Sequence, residues 1–306
     1  VASKKPDDPF LFELVRDDRA LAAHRFGRLL HLGTSSFSNK DWVGPFYPKG
    51  TRPGDFLKVY AAKFHAVEID STYYGVPAPT TVDKWRDAVP DGFVISAKFP
   101  RDIVHAGVRS RPDGDAVLDP DRTYAVRDEF LAAMARLGDR LGPMVIQFPF
   151  FPRDVFPRTQ TFLDRLQRFL TDLPSEFRCA VEMRNRHWIT PALADLCREH
   201  GAALTLVDQA WMPHGDEVER RLDPVTADFA YIRLLGDHKE IETITTTWDR
   251  EVIDRGVSLG RWAAVIQRIL EREVPVFVYV NNHYAGHAPA TLRRLREMVA
   301  RALGVG

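Results

Sequence analysis

Short runs of β-branched and aromatic residues that end in polar ones recur eight times along the chain. They are LLHLGTS (29–35), AVEID (66–70), FVISAKF (93–99), MVIQF (144–148), CAVEMR (179–184), ALTLVD (203–208), FAYIRLL (229–235) and VPVFVYVNN (274–282). Each has the length and residue types of a strand. Their starts lie roughly 25 to 50 residues apart, which leaves room for a helical crossover each time. The segments between them carry the helical period instead. In TFLDRLQRFLTDL (161–173), Phe162, Leu163, Leu166, Phe169, Leu170 and Leu173 make one apolar stripe. TPALADLCREHG (190–201) offers Thr190 as N-cap, Pro191 at the first helical position and Gly201 as the stop. LGRWAAVIQRILERE (259–273) and TLRRLREMVARALG (291–304) read the same way.

Eight alternating strand–helix units predict a single TIM-like (β/α)8 barrel over residues 31–306. A doubly wound open sheet is the alternative, but the first strand runs into GTSSFSNKDW, without the GxGxxG such a sheet would usually carry. Residues 1–30, with Leu14, Leu21 and Leu29 spaced among charges, are expected to form an amino-terminal extension outside the barrel.

Strand alternation assigns faces. In the second strand Val67 and Ile69 share the side that helices cover, and Glu68 and Asp70 share the other. Lys98 of the third strand, Gln147 of the fourth, Glu182 and Arg184 of the fifth, Asp208 of the sixth, Tyr231 and Arg233 of the seventh and Asn281 of the eighth join them. All are expected in the later halves of their strands, where a barrel builds its mouth. Four acids would then face three bases, and carboxylates there need partners, because burying a charge alone costs several kcal/mol. A purely structural ion-pair network is the plain reading. The number of converging groups argues for more, because buried pairs stabilise poorly beside apolar packing. Two long loops, residues 100–124 and 236–260, follow the third and seventh strands, as binding loops often do. Gly236 and Gly286, with a helix starting near Pro289, are expected to offer backbone N–H groups to a phosphate or carboxylate.

Composition narrows the setting. Lys+Arg and Asp+Glu number 42 each, so no global field favours nucleic acid or an anionic membrane. Cys179 and Cys197 are too few for a disulfide framework and have no metal spacing, which fits a cytoplasmic protein. The longest apolar run, VPVFVYV (274–280), is far short of a membrane span. The amino terminus has acids where a secretion signal would have its apolar core, and its first residue, Val, is expected of a processed or truncated chain.

The blocks LGTSSFSNKDWVGPFYP, FHAVEIDSTYYGVPAPTTVDKW, FVISAKFPRDIVH, LGPMVIQFPFF, CAVEMRNRHW and VYVNNHYAGHAP, in this order, resemble the family called domain of unknown function 72, the YecE-like proteins. The resemblance runs from about Leu32 to Leu303. It implies a TIM-like barrel and no established activity. Its polar positions fall here on Glu68, Thr72, Tyr73, Lys98, His105, Gln147, Glu182, Arg184, Asp208, Arg233, Asn281 and Asn282. Where the family usually reads Arg-Leu-His-Gly, this chain reads IRLLGDH, with Leu235 in place of the histidine and His238 three residues on.

Three functions are open at this point. The first is an enzyme performing acid–base chemistry on a small polar or anionic, phosphorylated or sugar-like substrate. Glu68 and Glu182 would be acid and base, and Lys98 and Asp208 further catalytic groups. Asp70, Thr72, Tyr73, His105, Gln147, Arg184, Arg233, Asn281 and Asn282 would bind the substrate. The second, less favoured, is a divalent-metal-dependent phosphoesterase, nuclease or isomerase using Glu68, Glu182 and Asp208 with His105 or His238. Neighbouring Lys and Arg disfavour a cation, so no cofactor is expected. A nuclease would need a basic rim, partly supplied by Arg101, Arg109, Arg111, Arg186 and Lys239. The third is a non-catalytic binder or scaffold with Trp42, Phe46 and Tyr47 as an exposed partner surface.

Overall fold

The computed structural model describes residues 24–305. The expected extension therefore lies almost wholly outside the described residues. Strands β1 (Leu30–Thr34), β2 (Ala66–Ile69), β3 (Val94–Lys98), β4 (Leu141–Gln147), β5 (Cys179–Glu182), β6 (Ala203–Leu204), β7 (Leu206–Asp208), β8 (Ala230–Leu234) and β9 (Val276–Val280) form one sheet. Every pairing is parallel, in the order β6-β5-β4-β3-β2-β1-β9-β8-β7. β6 and β7 are the expected sixth strand interrupted at Thr205. Its first half pairs with β5 and its second with β8, so the sheet curls back to itself as an eight-stranded barrel. At the break, the Thr226 hydroxyl accepts from Leu204 N at 2.7 Å and donates to Ala202 O, supplying partners the ladder lacks there.

The anticipated helices are present as Thr159–Thr171, Pro191–Glu199, Gly256–Glu271 and Ala288–Ala302. Thr190 caps the second of these, its side chain accepting from Leu193 N. Leu163 and Leu166, Leu193 and Cys197, Trp262 and Ile266, and Leu292 and Leu295 are buried in the layer between helices and sheet. A second core fills the barrel itself, from Ala66, Val145, Ala180, Ala203, Phe229, Tyr231, Phe277 and Tyr279. These share strand parity with Glu68, Gln147, Glu182, Arg233 and Asn281. An apolar plug therefore occupies the lower barrel and the polar side chains stand above it.

Trp42, Phe46 and Tyr47 do not form a partner surface. All three are 5% exposed or less. Tyr47 stacks on Phe56 at 4.5 Å, and the Trp42 indole donates to Asn282 Oδ1 at 3.2 Å. The loop after β1 is thus packed down as wall rather than offered to solvent.

Gly33 is where β1 and β2 approach most closely. A Cβ there would lie 2.2 Å from the Ala66 carbonyl oxygen, against backbone that cannot step aside. Gly33→Ala is therefore expected to lower stability by about 1–3 kcal/mol, the usual range for overpacking. Urea unfolding followed by tryptophan fluorescence measures it, and an unchanged midpoint would refute the close contact.

Candidate functional site

Arg233 of β8 organises the upper barrel. Its Nη2 donates to Glu68 Oε1 at 2.7 Å. Its Nη1 donates to Glu182 Oε2 at 2.6 Å and to Gln147 Oε1 at 2.9 Å. The Tyr231 hydroxyl takes the other Glu68 oxygen at 2.7 Å, and Arg184 Nε takes the other Glu182 oxygen at 2.6 Å. Arg184 Nη1 continues to Gln209 Oε1. Glu68, Glu182 and Arg233 are each 0% exposed, so this lattice is a sealed floor. Burial alone would raise the Glu182 carboxyl. Arg184 and Arg233 outweigh it and hold Glu182 down to about 2, a permanent anion at neutral pH. For Arg233 burial is likewise overcome, by Glu182 and Glu68, and the guanidinium stays charged.

Above the floor stand groups that nothing neutralises by contact. Lys98 is half-buried, and no hydrogen bond or ion pair reaches its amine among the described residues. Its neighbour is the Tyr73 ring, 5.7 Å from Nζ to the centroid. Burial, then the charge of Arg233, push the amine down to about 8, against the pull of Glu68, Asp70 and Glu182. Asp70, also half-buried, receives no hydrogen bond from another side chain among the described residues, and burial raises its carboxyl despite Lys98. Arg184 also borders an open cleft of about 880 Å³, walled by Phe150, Phe156, Trp188, Trp211 and Arg186. The sequence reading passed over this cleft. Its signal was the unusual density of rings in FPFF (148–151), together with Trp188 and Trp211.

Residues 31–304 match the family model described as protein of unknown function DUF72. The chain belongs to the DUF72 family. It is 32% identical over 160 residues to the UPF0759 protein YecE of Escherichia coli, covering 51% of this chain and 49% of that protein. Over 166 residues it is 24% identical to the UPF0759 protein YunF of Bacillus subtilis, covering 53% of each. The chain thus spans about half the length of the curated relatives it matches. A DUF72 protein structure from Thermotoga maritima superposes with a TM-score of 0.67 at 24% identity, covering 89% of this chain and 99% of that one. Another, from Enterococcus faecalis, gives 0.63 at 21%, covering 88% and 95%. At these identities the likeness carries the fold alone, and the fold is the expected barrel.

Within this DUF72 barrel, Glu68, Lys98, Gln147, Glu182, Arg184 and Arg233 assemble at the mouth, with Asp70 and Tyr73 over them. Asp208 does not join. It shares parity with Leu204 and Leu206, faces the helical layer, and accepts from Ser258 (2.7 Å), Trp262 (2.7 Å) and Tyr284 (2.9 Å). Alternation in ALTLVD already placed it with the outward leucines. The remaining charges balance, three carboxylates against Lys98, Arg184 and Arg233. Thr72 is also structural: it is buried, and its hydroxyl accepts from Lys98 N at 3.0 Å, fixing the strand end that presents Lys98. His105 is buried in the loop after β3, accepting from Gly107 N at 3.2 Å and contacting Arg101. Asn281 Oδ1 accepts from His283 N, and Asn282 Oδ1 from Ala288 N, both at 3.0 Å. These asparagines shape the loop after β9. The phosphate cradle expected there is closed as well. Gly236 N donates to Asp208 O and Gly286 N to Asn282 O.

Metal ligation by Glu68, Glu182 and Asp208 is likewise not assembled, since two are held by Arg233 and the third by the helices. The basic rim is partly cancelled, with Arg111 on Asp154 at 2.6 Å. Among the described residues, His238, Glu242 and His283 converge their ligand atoms within 4.8 Å. No helix of the described chain is long and apolar enough to cross a membrane.

Removing the central cation tests the floor. Arg233→Met strands two buried carboxylates and is expected to cost about 3–5 kcal/mol near pH 7. The deficit should narrow on acidification. In the variant, carboxylates whose folded pKa lies above the unfolded one regain stability by protonating. In the wild type, the Glu182 contribution, complete above 4.5, is lost as pH falls towards about 2. Thermal melts across pH 2–7.5 read both, and a gap independent of pH would refute the pairing.

Proposed function

We propose that the barrel mouth is the active site of an enzyme that moves a proton on a small polar, anionic substrate, with Lys98 as the base. The observation that carries this is the Lys98 amine, half-buried within the field of Arg233 and three carboxylates yet bonded to none of them. Glu68 and Glu182, the sequence-level candidates for acid and base, have both oxygens engaged and serve as fixed charges. With a pKa of about 8, roughly a tenth of Lys98 is neutral at pH 7, a reactive fraction suited to proton abstraction. Asp70 would steady the ammonium once formed. Arg184 Nη2, without a hydrogen-bond partner among the described residues, would hold the anionic group, and Gln147 Nε2 would orient it. The aromatic walls beyond Arg184 would take the apolar remainder of the substrate.

The reading places the protein in the cytoplasm. It is supported by two unpaired, buried cysteines, whose thiols burial pushes up to about 12, unreactive and suited to a reducing compartment. A small molecule is the partner in view. Nucleic acid is not favoured, given equal acidic and basic counts.

The test begins with a metabolite panel of carboxylates, sugar acids and phosphorylated sugars, scored for turnover. With a substrate in hand, kcat/KM should rise with pH and level off above about 8. Lys98→Arg, which keeps the charge but cannot give up a proton, should lose about 10²–10⁴-fold in kcat with its melting temperature intact. A ligand that binds without turnover, or an Arg variant of full activity, would overturn the proposal.

A further inference from the structure

The loops after β8 and β9 bring together three side chains that the acid–base reading does not use. Gly236 makes the approach: its φ is +69°, and a Cβ there would lie 2.4 Å from the His283 carbonyl oxygen. Immediately after it, Asp237 caps a short helix, His238–Glu242, accepting from Lys239 N at 2.9 Å. The helix puts His238 and Glu242 on one face, at i and i+4. Opposite them His283, in the first turn of Asn282–Ala285, stacks its ring on that of His238, 3.7 Å between centroids and 9° between planes. His283 Nε2 lies 3.4 Å from Glu242 Oε1.

His283 is held as a metal ligand is held. Its Nδ1–H donates to Asn281 Oδ1 at 2.7 Å, which fixes the tautomer and leaves the Nε2 lone pair directed at Glu242. Trp248 lies against the ring at 4.6 Å. Two imidazole nitrogens and one carboxylate oxygen form the donor set of catalytic zinc sites, in which a fourth position stays open. Zinc–ligand bonds of about 2.0–2.2 Å set neighbouring donors roughly 3–4 Å apart. The donor atoms here lie within 4.8 Å of one another, so a bound ion would draw them closer. The sequence signal was the His-x₃-Glu spacing in HKEIE.

We infer that His238, Glu242 and His283 form a binding site for one divalent transition-metal ion of the zinc type, at the rim of the barrel mouth, with Asn281 as the positioning residue behind His283. The inference stands apart from the acid–base reading, because metal binding is read without turnover.

Chelator-treated protein is titrated with Co²⁺, following its visible d–d absorption, and then with Zn²⁺ by equilibrium dialysis. One ion per chain is expected, with Zn²⁺ displacing Co²⁺. His238→Ala and Glu242→Gln, both at exposed positions, should each weaken binding at least tenfold with unchanged circular dichroism. Asn281→Ala should weaken it about 10–100-fold. Wild-type protein that takes up no ion, or uptake that survives both His238→Ala and Glu242→Gln unchanged, would overturn the site and leave a hydrogen-bonded stack.

Discussion

A single guanidinium divides the interior of this barrel into a packed core and a chemical site. Arg233 reaches from β8 to carboxylates on β2 and β5 and to an amide on β4, so four of the strands are tied at one height. Below it lie Tyr231, Tyr279, Phe229 and Phe277, above it the mouth. An apolar side chain of similar volume could close the barrel with equal or greater stability, since buried ion pairs seldom outdo hydrophobic packing. What the charged floor adds is a fixed electrostatic field. It holds Glu182 ionised, and it presses the Lys98 amine towards neutrality from beneath while the carboxylates pull the other way. Site chemistry and barrel packing are therefore not separable here: the group that seals the core also tunes the amine.

Much of this was legible in the order of residues. All eight strands stand where short apolar runs ended in polar side chains, and alternation alone put Glu68, Lys98, Gln147, Glu182 and Arg233 on the inner face. Asp208 shows the limit of reading by residue type. Its parity with Leu204 and Leu206 pointed outward, but a carboxylate at a strand end was grouped with the others. Trp42, Phe46 and Tyr47 failed for a different reason. A loop rich in rings can be wall or surface, and the choice depends on what packs behind it, here Phe56 and Asn282, which no local pattern reveals.

The convergences that remained invisible are those made by loops. The aromatic cleft draws on the segments after β4 and β5 and on Trp211, and the histidine pair on segments more than forty residues apart. Each depends on backbone turns whose direction only the folded barrel fixes. Gly236 is the clearest instance: its left-handed backbone and the absence of a Cβ let one loop rest on another, and the pairing of His238 with His283 follows from it. Strand pattern thus locates the mouth of such a barrel, whereas loop glycines and caps decide what stands around it.

Arg184 links the two sides of that mouth. One nitrogen is spent on the floor carboxylate Glu182 and one on Gln209, while its charge reaches His238. On the proposed reading, an anion docked on its remaining N–H groups would raise the Lys98 amine again wherever it came within about 4–6 Å of it, since an opposite charge at that range favours the ammonium. Substrate binding and proton affinity are then coupled through one residue. On the proposed reading, an amine near 8 in the empty site would become a stronger base when the anion arrives, while the fraction of it that is neutral at pH 7 would fall. Selectivity for an anionic substrate would on this account come less from contact than from the way its charge completes the field that Arg233 and Arg184 begin.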